Sequence, residues 1–331
     1  MNTFLLYFGE WHWIFLMSLA VLMSFSWWRF PDLTVESSFC AGMVCTYIAM
    51  KMSGGSIAHL LIAVLLLGIA STVAFSFATW ALAAIDFPPL FAGLVVMLAA
   101  YSANFYLNGS VDVQMLDMHH IFPTTSPEAT PAGDRAAVFS FMLAVAIGAL
   151  LVWFSRTRSY EVLTLVRRIP DQHVARTFGL RKEVALLLAM LIYNLVSFVG
   201  GVGEALYTSQ SSVTFTGAVS PGILCTFITR QIRLWASTTA YRSSQSAIPK
   251  SESTTSRILH WFIRQSDELW LSVSIIALLS AVASAVRHFI HSSETPGMMN
   301  AYTALGTFVG YLVCAGVAKV VGKQVKLGIE E

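Results

Sequence analysis

Long apolar stretches separated by short polar ones constrain this fold more than any motif. A helix needs roughly 20 mostly apolar residues to cross a bilayer, where backbone polar groups must bond to one another. We identify nine candidate spans: 11–28, 38–53, 57–83, 88–107, 136–155, 183–207, 213–232, 268–288 and 299–320. Only 11% of residues are charged, against about 25% in soluble proteins. The sequence predicts an all-α, polytopic membrane helix bundle that forms a single domain over 1–331.

Two of the spans carry signs of irregular backbone. The span 38–53 is short and ends just before Gly54-Gly55, and the span 213–232 contains Ser220-Pro221-Gly222. We therefore expect one or two short or broken helices, packed where protein satisfies their backbone. No Lys or Arg precedes Arg29, so we expect the first span to be retained rather than cleaved as a signal peptide.

The basic residues indicate the orientation. Placing the segment 156–182 in the cytoplasm puts 17 of the 20 Lys and Arg residues at cytoplasmic ends or loops, leaving Lys51, Arg135 and Arg287 outside. Positive charge concentrates on the cytoplasmic side of membrane proteins. The N-terminus is predicted outside, the C-terminus inside, and the loop 108–135 outside.

Polar side chains within the spans are candidates for a substrate pathway, because they are costly to bury in lipid. Glu204 stands out, either as a contact in the pathway or for a substrate amine, or as an interfacial carboxylate that is paired with a neighbour or exposed to water. Four amide and phenol side chains are further candidates for the pathway, although such groups often form a hydrogen bond to a facing helix instead. They are Asn104, Asn194, Tyr101 and Tyr207.

Two polar segments lie between predicted spans. Within 156–182, Pro170 and Gly179 favour a short helix over about 171–178, which either meets a partner or lies as a basic face on lipid headgroups. The segment 240–257 is rich in Ser and Thr and is predicted to be a flexible cytoplasmic loop.

Metal and thiol chemistry receive little support from the sequence. The outer loop carries Asp112, Asp117, His119 and His120, but adjacent histidines cannot both reach one metal from a regular helix or strand. The four cysteines lie in apolar stretches without CxxC spacing and are predicted to be small core residues. We assign no metal or cofactor to the chain, and the net charge of +2 gives no reason to expect a nucleic-acid partner.

From Asp32 to about Trp235 the chain resembles the permease subunits of ATP-binding-cassette importers for branched-chain amino acids and related solutes. The resemblance rests on short segments in the family's order: Asp32-Leu33-Thr34-Val35-Glu36-Ser37-Ser38-Phe39, Pro88-Pro89-Leu90-Phe91-Ala92-Gly93-Leu94, Tyr101-Ser102-Ala103-Asn104, Ala175-Arg176-Thr177-Phe178-Gly179-Leu180, and Asn194 with Gly200-Gly201. The chain departs from the family at Ile169 and Asp171, where a Gly and an Asn are usual. It also lacks the run of glycines expected in the seventh span.

The resemblance implies a transmembrane subunit of an ATP-driven importer for a small polar solute, an amino acid or related compound. It implies a second permease, same or homologous, a separate cytoplasmic ATP-binding subunit, and an external solute-binding protein for which the acidic outer loop is a docking surface. The setting would be a bacterial-type inner membrane. The segment 156–182 would couple to the ATPase through Arg167, Arg168, Asp171, His173, Arg176 and Gly179.

Other functional classes have less support. Gly-x-Ser-x-Gly and His-Glu-x-x-His are absent from the sequence, so an intramembrane hydrolase lacks its motifs. An ion-driven transporter would favour inverted repeats and several membrane carboxylates. The departures leave open a degenerate permease that acts as a scaffold or regulatory subunit in a heteromeric complex.

Overall fold

The computed structural model describes residues 11–27, 30, 32–53, 56–85, 87–115, 133–154, 157, 159–160, 181–208, 210–213, 223 and 273–281. Its helices are α1 (Trp11–Leu22), α2 (Thr34–Ser53), α3 (Ile57–Ala84), α4 (Pro89–Asn108), α5 (Gly133–Phe154) and α6 (Lys182–Thr208). A π-helical turn, Met23–Trp27, continues α1. Two short strands, β1 (Asp112–Gln114) and β2 (Gln210–Ser212), follow α4 and α6, and residues 273–281 are helical.

The helical part of the fold prediction is confirmed, since helix accounts for 87% of the interpretable residues. Among the described residues, three helices are long and apolar enough to cross a bilayer, which is compatible with a membrane protein: Ile57–Ala84, Leu90–Asn108 and Glu183–Thr208. Shorter apolar helices cover Trp11–Phe25 and Val138–Phe154. The seventh and ninth predicted spans lie outside the described residues, apart from Ile223 in the seventh, and the eighth is described only over 273–281.

Neighbouring helices run in alternating directions around α6. His12 of α1 lies against Gly203, and Leu16 lies against Gly200, so α1 runs antiparallel to α6. In α2, by contrast, the order Val35 then Gly42 matches the order Ser197 then Val202 in α6, so the two helices are parallel.

The helices α3, α4 and α5 continue this alternation. Gly68 of α3 meets Phe198, and Trp80 donates to the Glu183 carbonyl, so α3 is antiparallel to α6. In α4, Gly93 meets Asp32 and Met97 meets Ser37, so residue numbers rise in the same direction and α4 is parallel to α2. In α5, Ser140 bonds Gly203 while Gly148 meets Phe15, so α5 runs against α6.

The helix α2 packs against α3, α4 and α6 and is continuous over its 20 residues. The break predicted in the second span is therefore absent, and the irregular backbone precedes the helix instead, in the π-helical turn and the connection to Asp32. α2 also begins four residues earlier than the predicted span, at Thr34. A helix surrounded by protein tolerates polar residues that lipid would reject, which explains why hydropathy placed this start too late.

The pairing of α2 with α6 depends on two glycines. A Cβ added at Gly201 would overlap the Phe39 carbonyl oxygen of α2, and one added at Gly42 would overlap the Phe198 carbonyl oxygen of α6. Small residues of this kind let helix backbones approach closely in membranes, where dispersion energy replaces the hydrophobic drive. The contact is reciprocal, and it holds the two helices together as one unit.

A short antiparallel sheet joins the ends of α4 and α6. Asp112 pairs with Ser212, and Gln114 pairs with Gln210. The side chain of Asn108 strengthens this connection, since its Oδ1 accepts a hydrogen bond from Ser211 Oγ at 2.7 Å. These strands depart from the purely helical prediction, although each is only three residues long.

Candidate functional site

A buried carboxylate organises the start of α2. Asp32 is 1% exposed and accepts hydrogen bonds from the Thr34 N–H (2.9 Å), the Thr34 hydroxyl (2.7 Å) and the Tyr193 hydroxyl of α6 (2.6 Å). Helix N-termini carry unsatisfied N–H groups and partial positive charge. Asp32 supplies both an acceptor and a negative side chain there, which accounts for a helix that begins inside the bundle.

Asn194 is the second centre of this network. Its Oδ1 accepts a hydrogen bond from Ser38 of α2 at 2.9 Å, and its Nδ2 donates one to Ser76 of α3 at 3.0 Å. The Thr34 hydroxyl lies 3.3 Å from the same Oδ1. One turn further along α6, Ser197 donates to the Val35 carbonyl. We call this set the α2 polar cluster: Asp32, Thr34, Ser38, Ser76, Tyr193, Asn194 and Ser197.

The segments on which the family resemblance rests meet at this cluster. Asp32 lies against Gly93 of α4, and Asn104 of α4 places Nδ2 3.5 Å from the Ser37 carbonyl. Asn194 and Gly201 contact Ser38 and Phe39. Residues far apart in the sequence thus form one packed unit around the first half of α2. The segment 175–180, which completes the resemblance, lies outside the described residues.

A second buried polar group lies nearer the other end of α6. Glu204 is 3% exposed and His12 is 1% exposed; Glu204 Oε2 lies 3.7 Å from His12 Nε2. The His12 ring also meets the Tyr207 ring edge-on, with centroids 5.6 Å apart. Glu204 is therefore not an exposed interfacial carboxylate. It pairs with α1, which agrees with the neighbour-paired alternative for this residue and leaves its role in transport a prediction.

The five predicted pathway residues occupy three separate places. Asn104 and Asn194 lie beside the first half of α2. Glu204 and Tyr207 lie about 15 Å and about 20 Å beyond Asn194 along α6, at 1.5 Å per residue. Tyr101 is 39% exposed on the surface of α4. The described residues do not bring all five to one site, and the Asn194 amide already bonds neighbouring helices.

Sequence reasoning missed several polar residues that the fold places inside the bundle, namely His12, Asp32, Glu36 and Tyr193. A signal was present for one group, since Tyr193, Ser197, Gly201 and Glu204 recur every three or four residues and lie on one face of a helix. His12 lies on a different helix, α1, so no periodicity in the sequence relates it to Glu204. Its pairing follows only from the antiparallel packing of α1 and α6.

The predicted coupling residues, Arg167, Arg168, Asp171, His173, Arg176 and Gly179, fall outside the described residues, as do Asp117, His119, His120 and the loop 240–257. Asp112 is described and lies in β1. Cys40 and Cys45 are buried, as expected of small core residues. Within the described ranges, no group of three or more His, Cys, Asp or Glu residues is arranged to hold a metal ion.

Comparison with protein-family models, with curated proteins and with solved structures finds no match to this chain. The resemblance to the importer permeases therefore rests on the quoted sequence segments alone.

Proposed function

We propose that this chain is the transmembrane subunit of an ATP-driven importer for a small polar solute, an amino acid or related compound. One observation carries the proposal: segments 32–39, 88–104 and 194–201 resemble one permease family and pack against one another around α2.

In this proposal the chain provides a gated path, and ATP is hydrolysed on a separate cytoplasmic subunit. The segment 156–182 contacts that subunit through Arg167, Arg168, Asp171, His173, Arg176 and Gly179. Arginine suits this role, because its planar fork of donors holds carboxylates and backbone carbonyls in fixed geometry. A second permease completes the path, and an external binding protein delivers the solute to the acidic loop 108–135. The protein lies in a bacterial-type inner membrane, with its N-terminus outside and its C-terminus in the cytoplasm.

Purification of the chain from its own membrane with its native partners tests the proposal. We expect an ATP-binding subunit to co-purify and its ATP hydrolysis to rise when solute and binding protein are added. Arg176→Glu should abolish that stimulation while the protein stays in the membrane. Arg181→Glu is a control within the same segment, because it makes the same charge change at an exposed position that is not among the six assigned residues, and it should retain stimulation.

Each other outcome separates the alternatives. A bound ATPase without solute-stimulated hydrolysis would favour the degenerate permease that acts as a scaffold or regulatory subunit. Solute movement by the isolated chain under an ion gradient would contradict the importer. Normal stimulation of ATP hydrolysis in Arg176→Glu would contradict the assignment of the coupling segment.

A further inference from the structure

The carboxylates Asp32, Glu36 and Glu204 of the described helix bundle differ in what surrounds them. Asp32 accepts three hydrogen bonds, and Glu204 lies 3.7 Å from His12. Glu36 of α2 is only partly buried, and within the described part of the chain its side chain has neither a hydrogen bond nor an ion pair. Of the three, Glu36 is the carboxylate that remains accessible to a ligand.

Glu36 lies part of the way along the bundle axis rather than at the end of the bundle. The next residue, Ser37, donates to the Met97 carbonyl, which is eight residues into α4 and thus about 12 Å from its start. Acidic side chains at such positions are rare, and they mark ion or substrate pathways when they face a bundle interior or a water-filled cavity. An ionised carboxylate here needs water or a cation beside it.

The remaining faces of α2 are occupied by its neighbours. Val35 and Ser38 face α6, Ser37 faces α4, and Phe39 lies against Trp13 of α1. Glu36 belongs to a different face. Steps of four or seven residues keep a helical residue on one face, so Glu36 shares its face with Cys40, Tyr47 and Lys51. We call this the Glu36 face of α2.

The one basic residue on α2 does not neutralise Glu36. Lys51 lies fifteen residues further along, about 22 Å away at 1.5 Å per residue, and its ammonium lies over the Tyr47 ring at 4.2 Å from the centroid. That contact is a cation–π interaction. Among the described residues nothing compensates the negative group at one end of the Glu36 face, and the helix's own cation is held at the other end.

We propose that Glu36 binds the positively charged ammonium group of the transported solute. This inference rests on the proposed transport function and names the chemical class of the solute, a primary amine or a zwitterion. A divalent metal ion fits less well, because it takes several oxygen ligands and no metal-binding group of acidic, His or Cys residues exists in the described ranges. A compact ammonium group needs only one carboxylate and its water.

A simpler role for Glu36 is to stabilise the N-terminus of α2, since it lies in the first turn of that helix and faces the positive end of the helix dipole. That role affects stability with or without a ligand. Glu183 lies in the first turn of α6, so Glu183→Gln removes an equivalent charge and serves as the matched control.

The experiment measures ligand-induced thermal stabilisation of the full-length protein, purified with its native partners. Three probes of similar shape separate the charged groups: leucine, isoamylamine, which lacks the carboxylate, and 4-methylpentanoate, which lacks the amine. We expect leucine and isoamylamine to stabilise the wild type and 4-methylpentanoate to have no effect. Glu36→Gln should weaken binding of both amines at least tenfold, while Glu183→Gln binds them as the wild type does.

A second measurement uses the unaltered chain and so does not depend on the folding of the variant. Dicyclohexylcarbodiimide modifies accessible carboxyl groups in membranes, and mass spectrometry locates the modified peptide. We expect modification of Glu36, with protection by isoamylamine but not by 4-methylpentanoate.

The inference is overturned if neither amine stabilises the wild type, if Glu36→Gln binds both amines within twofold of the wild type, or if carbodiimide fails to modify Glu36. Equal carbodiimide modification of Glu36 with and without isoamylamine would also overturn the inference. These outcomes are separate from the test of the importer: a co-purifying, solute-stimulated ATPase beside unchanged amine binding in Glu36→Gln refutes only the role of Glu36. Amine binding at Glu36 in a protein without any ATPase refutes only the importer.

Discussion

At the scale of the residue, the burial of Asp32 is explained by its donors. The carboxylate accepts two hydrogen bonds from Thr34 and one from Tyr193, all shorter than 3 Å. An unsatisfied buried polar group costs about 1–3 kcal/mol, and a charged one costs more. Tyr193 is the donor that comes from another helix, so it connects the start of α2 to α6.

Tyr193→Phe should lower the free energy of unfolding by about 1–3 kcal/mol, because it removes one donor from a buried carboxylate and keeps the ring. Tyr106→Phe is the control, since Tyr106 is 85% exposed and should change stability by less than about 0.5 kcal/mol. Thermal unfolding in detergent, followed by intrinsic fluorescence, compares them. Equal unfolding temperatures for the two variants would show that the Asp32–Tyr193 bond contributes no stability.

The sequence identified Glu204 as a membrane carboxylate but did not identify Asp32 or Glu36 in this way. Glu204 interrupts an apolar stretch that is unmistakable by hydropathy. Asp32 and Glu36 stand among Thr and Ser residues that resemble the polar entry to a span. Asp32 is buried because Thr34 and Tyr193 donate hydrogen bonds to its carboxylate, and such partners are not visible in the sequence.

At the scale of the element, the parallel pair of α2 and α6 depends on close approach of two backbones. Gly201 contacts the Phe39 carbonyl and Gly42 contacts the Phe198 carbonyl. Backbone atoms cannot rotate away as side chains do, so any added methyl group must push the helices apart.

Gly201→Ala should therefore destabilise the protein by about 3 kcal/mol, at the upper end of the cost of overpacking. Gly148→Ala is the control, because its Cβ would meet the Phe15 ring at 3.0 Å and a side chain can shift. The measurement is unfolding in increasing proportions of sodium dodecyl sulfate. A smaller effect for Gly201→Ala than for Gly148→Ala would contradict the close packing of these helices.

The extents of the described helices were largely predictable, but their contacts were not. Hydropathy placed the ends of α3, α4 and α6 within one or two residues of Ile57–Ala84, Pro89–Asn108 and Lys182–Thr208, because lipid imposes a strong apolar requirement on such helices. The strands β1 and β2 form only because α4 and α6 end side by side. Three-residue strands carry no periodic signal in the sequence.

At the scale of the whole molecule, the alternating directions of α1 to α6 agree with consecutive crossings of a membrane. The turn between α3 and α4 lies at one end of the bundle, and the β1–β2 sheet lies at the other. The distribution of Lys and Arg predicts that the sheet faces the exterior.

Cysteine labelling tests this orientation. In a background with the native cysteines replaced by serine, Gln114→Cys in the exposed part of β1 should react with a membrane-impermeant maleimide in intact cells. Ile85→Cys, at a turn position that is 72% exposed, should react only after permeabilisation. The reverse pattern would invert the predicted topology, and labelling of both sites in intact cells would contradict the separation of the two ends.

The β1–β2 sheet also determines where α4 and α6 can move apart. Backbone hydrogen bonds join the ends of these helices at the sheet, so the sheet is the pivot of any tilt of α4 relative to α6. Displacement then grows with distance from the pivot. A tilt of about 5° moves the far end of α4, about 30 Å away, by about 3 Å. The widest opening between α4 and α6 therefore falls at the turn between α3 and α4, one helical turn from Asp32 and two from Glu36.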